Sequence, residues 1–104
     1  MNRKARVYFR GAPAGILAET PDGFSFTYDA DFRTKNPPIS ASLPFSAVPL
    51  SSARLFPFFA GLLPEGWYLN VVTARYKIDR RDAFGLLLAV GRDTIGAVTI
   101  EELQ

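Results

Sequence analysis

The sequence predicts an α+β fold: an antiparallel sheet built mostly from the N-terminal half and completed by a C-terminal strand, with helices of the second half packed on one face. Three observations carry this expectation. Apolar and polar residues alternate from Arg3 to Tyr28, apolar residues recur at helical spacing between Leu55 and Leu88, and a β-branched run occupies Ile95–Ile100.

In order along the chain, Ala5, Val7 and Phe9 form one face of a first strand, with Lys4, Arg6, Tyr8 and Arg10 on the other. Gly11-Ala12-Pro13 supplies turn chemistry. Ala14 to Thr20 returns as a second strand, its core face being either Ile16 and Ala18 or Leu17. Pro21-Asp22-Gly23 is a second turn, because proline presets φ and glycine accepts positive φ. Phe24, Phe26 and Tyr28 then alternate with Ser25 and Thr27 in a third strand, completing a meander.

Asp29 to Lys35 is polar, and Pro37-Pro38 interrupts regular structure, so this stretch reads as a surface crossing. Ile39, Ala41 and Leu43 alternate and predict a short edge strand. Pro44 to Ser52, with prolines and serines, reads as a loop. Leu55, Phe58, Phe59, Leu62 and Leu63 make a helical stripe with Pro57 in its first turn, ended by Pro64 and Gly66. A second helix runs from Gly66 to Tyr76 with Leu69, Val72 and Tyr76 along one side and Asn70 and Arg75 outward, Lys77 following. Asp79 is the expected N-cap of a third helix carrying Phe84, Leu87 and Leu88, which Gly91 closes as a C′ residue. Asp93-Thr94 makes a turn before the last strand.

With 104 residues the chain is expected to form a single domain over 1–104, and 48% hydrophobic content with nine Phe, four Tyr and one Trp suffices for a packed core. There is no Cys and no His. Disulfides, thiol nucleophiles, Cys/His metal sites and imidazole bases are thereby excluded. Twelve basic and ten acidic residues leave a net charge of +2. Only Arg3, Lys4, Arg6 and Arg10 form a one-signed stretch, which reads as a solvated strand face rather than a nucleic-acid surface. No apolar run reaches the ~18 residues of a membrane span, and the charged start is no signal peptide, so a soluble cytoplasmic protein is expected.

Asp29 and Asp31 lack the companions that acid/base chemistry needs. The spaced glycines of Gly91-Arg92-Asp93-Thr94-Ile95-Gly96 follow a helix instead of opening one, and read as a cap and turn. The rigid Pro64-Glu65-Gly66 turn is different, because it sits beside the lone Trp67. At their spacing Phe58, Phe59, Leu62 and Leu63 belong to the core; Trp67 falls outside that stripe, and spacing leaves core and interface equally open for it.

The blocks Phe26-Thr27-Tyr28-Asp29, Ile39-Ser40-Ala41-Ser42-Leu43-Pro44, Phe58-Phe59-Ala60-Gly61-Leu62-Leu63-Pro64-Glu65-Gly66, Asp82-Ala83-Phe84-Gly85-Leu86-Leu87 and Gly91-Arg92-Asp93-Thr94-Ile95-Gly96-Ala97 resemble, in order and spacing, the N-terminal subdomain of HipA-type toxin kinases. The likeness runs through the whole chain. The ATP-binding loop, catalytic Asp and metal ligands of those kinases belong to a part that does not follow within this sequence, so no catalysis and no cofactor is expected. The resemblance implies either an excised HipA subdomain or, as expected here, the separate small antitoxin of tripartite HipBST-type systems (HipS-type). Such a protein would neutralise a HipT-like kinase toxin that phosphorylates aminoacyl-tRNA synthetases, alongside a HipB-like helix-turn-helix protein that alone touches DNA. No small-molecule substrate and no membrane partner are expected. The expected partner-binding residues are Pro64, Glu65, Gly66, Trp67 and Tyr68, docking on the kinase N-lobe. A basic nucleic-acid accessory domain is the alternative from another class.

Overall fold

The structure, a computed structural model, describes residues 2–91 and 97–103; the Trp67 side chain, on an otherwise described helix, lies outside that description. Strands β1 (Lys4–Phe9), β2 (Ala12–Thr20) and β3 (Gly23–Tyr28) form the meander. Helix α1 (Ala30–Lys35), strand β4 (Leu50–Ser52), helices α2 (Pro57–Ala60), α3 (Gly66–Tyr76) and α4 (Ala83–Val90), and strand β5 (Val98–Leu103) follow. The sheet is antiparallel in the order β4-β3-β2-β1-β5, so the last strand lies beside the first.

One sheet face is apolar and carries the core. Ala5 and Val7 of β1, Leu17 of β2, Phe26 of β3 and Val98 and Ile100 of β5 are buried there with Leu43, Leu55, Phe56, Phe59, Phe84 and Leu87. The open choice on β2 thus falls to Leu17, while Ile16 and Ala18 are half-buried. Phe59 is enclosed by the rings of Phe26, Phe56 and Phe58, at centroid distances of 5.5, 6.4 and 5.3 Å. Pro57 occupies the first turn of α2 as expected, where its missing N–H has no helical partner to lose.

Several boundaries differ from expectation. The first turn is Arg10-Gly11, with φ of 52° and 82°, and not Gly11-Ala12-Pro13. Two consecutive positive φ angles suit the twist of a two-residue hairpin, and Ala12 and Pro13 already lie in β2. Asp29 to Lys35 is no simple crossing, because residues 30–35 form α1, which buries Phe32. The edge strand is Leu50–Ser52, paired with Phe24–Phe26, in the stretch expected to be a loop. Ile39–Leu43 forms only an isolated bridge between Ser40 and Leu43. There the Tyr28 hydroxyl accepts from the Ile39 amide (3.1 Å) and donates to the Leu43 carbonyl (2.6 Å), so a side chain supplies bonds that a neighbouring strand would otherwise give.

Helix α4 begins later than expected. Its N-cap is Asp82, whose carboxylate accepts from the Gly85 amide at 3.0 Å; Asp79 caps the preceding turn through the Arg81 amide. Gly91 ends α4 with a right-handed backbone (φ −64°), so it is not a left-handed C′ residue. Its glycine is required for space, since a Cβ would stand 2.6 Å from the Ile100 Cβ. The expected Asp93-Thr94 turn and Ile95 lie outside the described residues, and the described part of the last strand starts at Val98.

Candidate protein-binding site

The five residues singled out in the sequence lie where the chain leaves α2 and enters α3. After Ala60 the chain continues through i→i+3 bonds from the Leu62 and Leu63 amides to the Phe59 and Ala60 carbonyls. Pro64 is half-buried; Glu65 and Gly66 are exposed. Glu65 is extended (φ −132°, ψ 164°) and offers its carbonyl, not its side chain, to the helix, at 3.3 Å from the Leu69 amide. Gly66 opens α3 with φ +57°, and a Cβ there would meet nothing within 4 Å. The glycine therefore serves conformation alone, at a position where an L side chain costs ~1–2 kcal/mol. Tyr68 is 48% exposed. The structure thus brings Pro64, Glu65, Gly66 and Tyr68 together on one outward turn, while the role assigned to the Trp67 side chain falls outside the described residues.

Helix α3 is held by little burial. Val72 is its only described buried residue, with Leu69 and Thr73 half-buried. Tyr76, expected on the inner side, is instead 50% exposed, and Val71 is 46% exposed. Composition gave no cue for Val71, since either member of the pair Val71-Val72 could face the core. The missed signal is the charge pattern: from Gly66 to Ile78 there is no acidic residue, while Arg75 and Lys77 lie within it and Arg80 just beyond. The Arg75 guanidinium lies 5.8 Å from the Tyr76 ring centroid, and Arg80 donates to the Asn70 side chain at 2.8 Å. Lys77, left-handed at φ 55°, closes the helix through its amide to the Thr73 carbonyl. Among the described residues, Arg75, Lys77 and Arg80 make no salt bridge, whereas Arg81 pairs with Asp79 at 3.3 Å. The Arg81 amide and guanidinium hold the Asp79 carboxyl below its ordinary range.

The N-terminal cations behave otherwise. Arg3 grips Glu19 (Nε–Oε1 2.7 Å, Nη2–Oε2 3.0 Å) and Asp82 (Nη2–Oδ1 2.7 Å, Nη1–Oδ2 3.1 Å), two forked contacts from one guanidinium. Its donation holds both carboxyls below their usual range. Arg6 pairs with Asp29 at 2.7 Å, so Asp29 is engaged structurally and not poised beside Asp31. Two of the four cations in the basic stretch are therefore neutralised. Among the described residues no cluster of three metal-ligating side chains occurs, no buried side-chain polar atom lacks a partner, and no helix is long and apolar enough to cross a membrane.

A five-stranded antiparallel sheet backed by short helices, in which the exposed aromatic side chains among the described residues, Tyr68 and Tyr76, both stand on α3, defines a small α+β domain. The chain belongs to the HipA N-terminal domain family, whose model matches residues 5–101. It is 39% identical over 100 residues to an uncharacterized protein of Haemophilus influenzae, covering 96% of this chain and 92% of that one. The serine/threonine-protein kinase toxin HipA of Shewanella oneidensis is 29% identical over 79 residues, 76% of this chain but 18% of that protein. A solved N-terminal domain of HipA toxin superposes with a TM-score of 0.76 at 34% identity, over 98% of this chain and 93% of that one. The HipA chain in a Shewanella oneidensis complex of HipA, HipB and operator DNA shares the fold, with a TM-score of 0.75 at 22% identity over 93% of this chain and 23% of that one.

Proposed function

We propose that this chain is a non-catalytic, HipS-type antitoxin that acts as one domain over residues 1–104. It binds and neutralises a HipA-like serine/threonine kinase toxin, a HipT-like protein, by docking on the kinase N-lobe near its active site. A HipB-like helix-turn-helix protein completes the complex and is the only member to touch DNA. The assembly is cytoplasmic and uses no cofactor. The observation that carries this reading is a HipA N-terminal domain whose described exposed aromatics stand on α3, directly after the Pro64-Glu65-Gly66 turn. A relative of matching size supports a separately made protein. Pro64, Glu65, Gly66, Trp67 and Tyr68 form the docking edge, with Trp67 as its anchor.

A second reading, the structural N-terminal subdomain of a HipA kinase, is favoured by one observation: the chain spans about a fifth of the Shewanella kinase toxin it matches. The nucleic-acid alternative loses support because Arg3 and Arg6 are held in ion pairs.

The test is co-expression with the neighbouring kinase, scoring growth and co-purification for the parent chain and for Trp67→Ala and Tyr68→Ala. Rescue by the parent is expected. A central aromatic anchor is worth ~2 kcal/mol or more, so Trp67→Ala should weaken binding roughly 30-fold with unchanged circular dichroism. Binding by the parent without rescue would favour the structural-subdomain reading. Trp67→Ala that rescues like the parent would remove the anchor.

A further inference from the structure

Helices α2 and α4 send Phe59, Phe84 and Leu87 into the core cluster that holds the buried side chains of the sheet, and Leu62, Leu63 and Leu88 pack against it. Among the described residues, none between 64 and 81 belongs to that cluster or packs on it. Val72 is buried apart from it, and Pro64, Leu69, Thr73 and Ile78 are half-buried. Leu63 rests on the core and Asp82 is held by Arg3, so the poorly held stretch lies between them.

Helix α3 has little strength of its own to make up for this. Its eleven residues fall short of the ~12–15 below which an isolated helix is marginal in water. Asn70-Val71-Val72-Thr73, through its middle, are all weaker helix formers than Ala, Leu or Arg. Glu65 gives its first turn no side-chain cap, and no acid stands there to meet the helix dipole. The bonds toward its other end are local: the Thr73 hydroxyl donates to the Asn70 carbonyl (3.1 Å), Arg80 to the Asn70 side chain (2.8 Å) and the Ile78 amide to the Thr73 carbonyl (3.2 Å). Helix α4, by contrast, is capped by Asp82, which Arg3 ties to Glu19 of β2. Few buried apolar contacts and a helix surface open to water are the marks of an element that opens before the domain as a whole.

We infer that residues 64–81 open and close as one unit, hinged at Leu63 and Asp82, while the sheet, α2 and α4 stay folded, and that the protein partner takes only the closed form. The second half rests on the kinase-binding reading, which puts the docking edge, Pro64 to Tyr68, at the head of this unit. Opening dismantles that edge, so the partner competes with opening and binding holds α3 shut.

The experiment is native-state amide exchange of the purified chain, free and with the purified neighbouring kinase. Amides of residues 70–76 should exchange at least ~100-fold faster than those of β2, which is paired on both sides, and their rates should depend only weakly on urea. Ile100→Val thins the sheet's core without touching the unit: it should speed exchange in β2 about fivefold and leave residues 70–76 unchanged. Kinase at 100 times its Kd should slow residues 70–76 roughly 100-fold. Acceleration of residues 70–76 by Ile100→Val to the same factor as β2 would mean that α3 opens only with the whole domain, and would overturn the inference. A complex in which α3 exchanges as fast as in the free chain would overturn the partner's choice of the closed form and leave the antitoxin reading standing. No complex at all would overturn that reading and the choice with it, while the free-chain rates decide by themselves whether the unit opens.

Discussion

Replacing Arg3 with Met keeps the aliphatic stem and removes the guanidinium that ties β1 to β2 and to the start of α4. Two forked contacts disappear, at 2.7–3.0 Å to Glu19 and 2.7–3.1 Å to Asp82. Hydrogen bonds to charged groups contribute ~1.5–3 kcal/mol when shielded, but all three side chains are roughly a quarter to a third exposed, which places each pair near the ~1 kcal/mol of a well-formed surface pair. The two carboxylates left behind also repel one another across the vacated site. The expected loss is about 2 kcal/mol, or ~8–16 °C in melting temperature for a chain of this size. The acid response follows from the same contacts. The carboxyls of Glu19 and Asp82 titrate below their ordinary values of 4.5 and 3.8 because Arg3 donates to their charged forms. Their contribution is complete above those values and is lost as pH falls through the lowered native ones. Urea unfolding followed by circular dichroism at pH 7, 5 and 3 should therefore show parent and variant well separated at pH 7 and 5 and converging toward pH 3. A difference below ~0.5 kcal/mol at pH 7, the level of an ordinary surface substitution, would refute the reasoning. So would a separation that does not shrink on acidification.

Three further outcomes are expected. Phe59→Ala empties a site enclosed by three aromatic rings and should cost ~3–5 kcal/mol in urea unfolding. Tyr28→Phe strands the Ile39 amide and the Leu43 carbonyl and should cost ~1–2 kcal/mol, with faster amide exchange confined to residues 36–43. Gly91→Ala drives a Cβ against the Cβ and carbonyl of Ile100 and should cost ~1–3 kcal/mol in a thermal melt; because valine keeps both of those atoms, adding Ile100→Val should not recover the loss.

The strands of the meander could be read directly, because a sheet with one buried face imposes period two on Ala5, Val7, Phe24 and Phe26. The span of α3 was equally plain. What local pattern could not decide was whatever a distant residue decides. Ile39, Ala41 and Leu43 do alternate, yet the Tyr28 hydroxyl holds that segment as a turn. Leu50–Ser52 has no alternation and becomes an edge strand only because Phe24–Phe26 offers it a free edge. Asp79 was the cap the sequence pointed to, yet it is Asp82 that holds the Gly85 amide and Arg3, a partner 79 positions away. Helix α1 contributes a single buried side chain, Phe32, too little to create a stripe. At the candidate site the Pro64-Glu65-Gly66 turn was visible in composition. The exposure of Val71 and Tyr76 was not, since helical spacing alone does not say how far a helix extends past what it packs against.

The pairing of β1 with β5 has a consequence for biosynthesis. The meander β1-β2-β3 is local and can close while the chain is still emerging from the ribosome, but the outer edge of β1 has no partner until Val98–Leu103 has been made. Throughout that interval a nascent chain carries a strand with open amides and carbonyls on its outer edge, and until Ala83–Val90 has also been made Ala5 and Val7 lie on an incompletely covered face. The last strand is thus the closing step of vectorial folding. A ribosome stalled or a message cut before Val98 would release a sticky intermediate in place of a smaller folded domain.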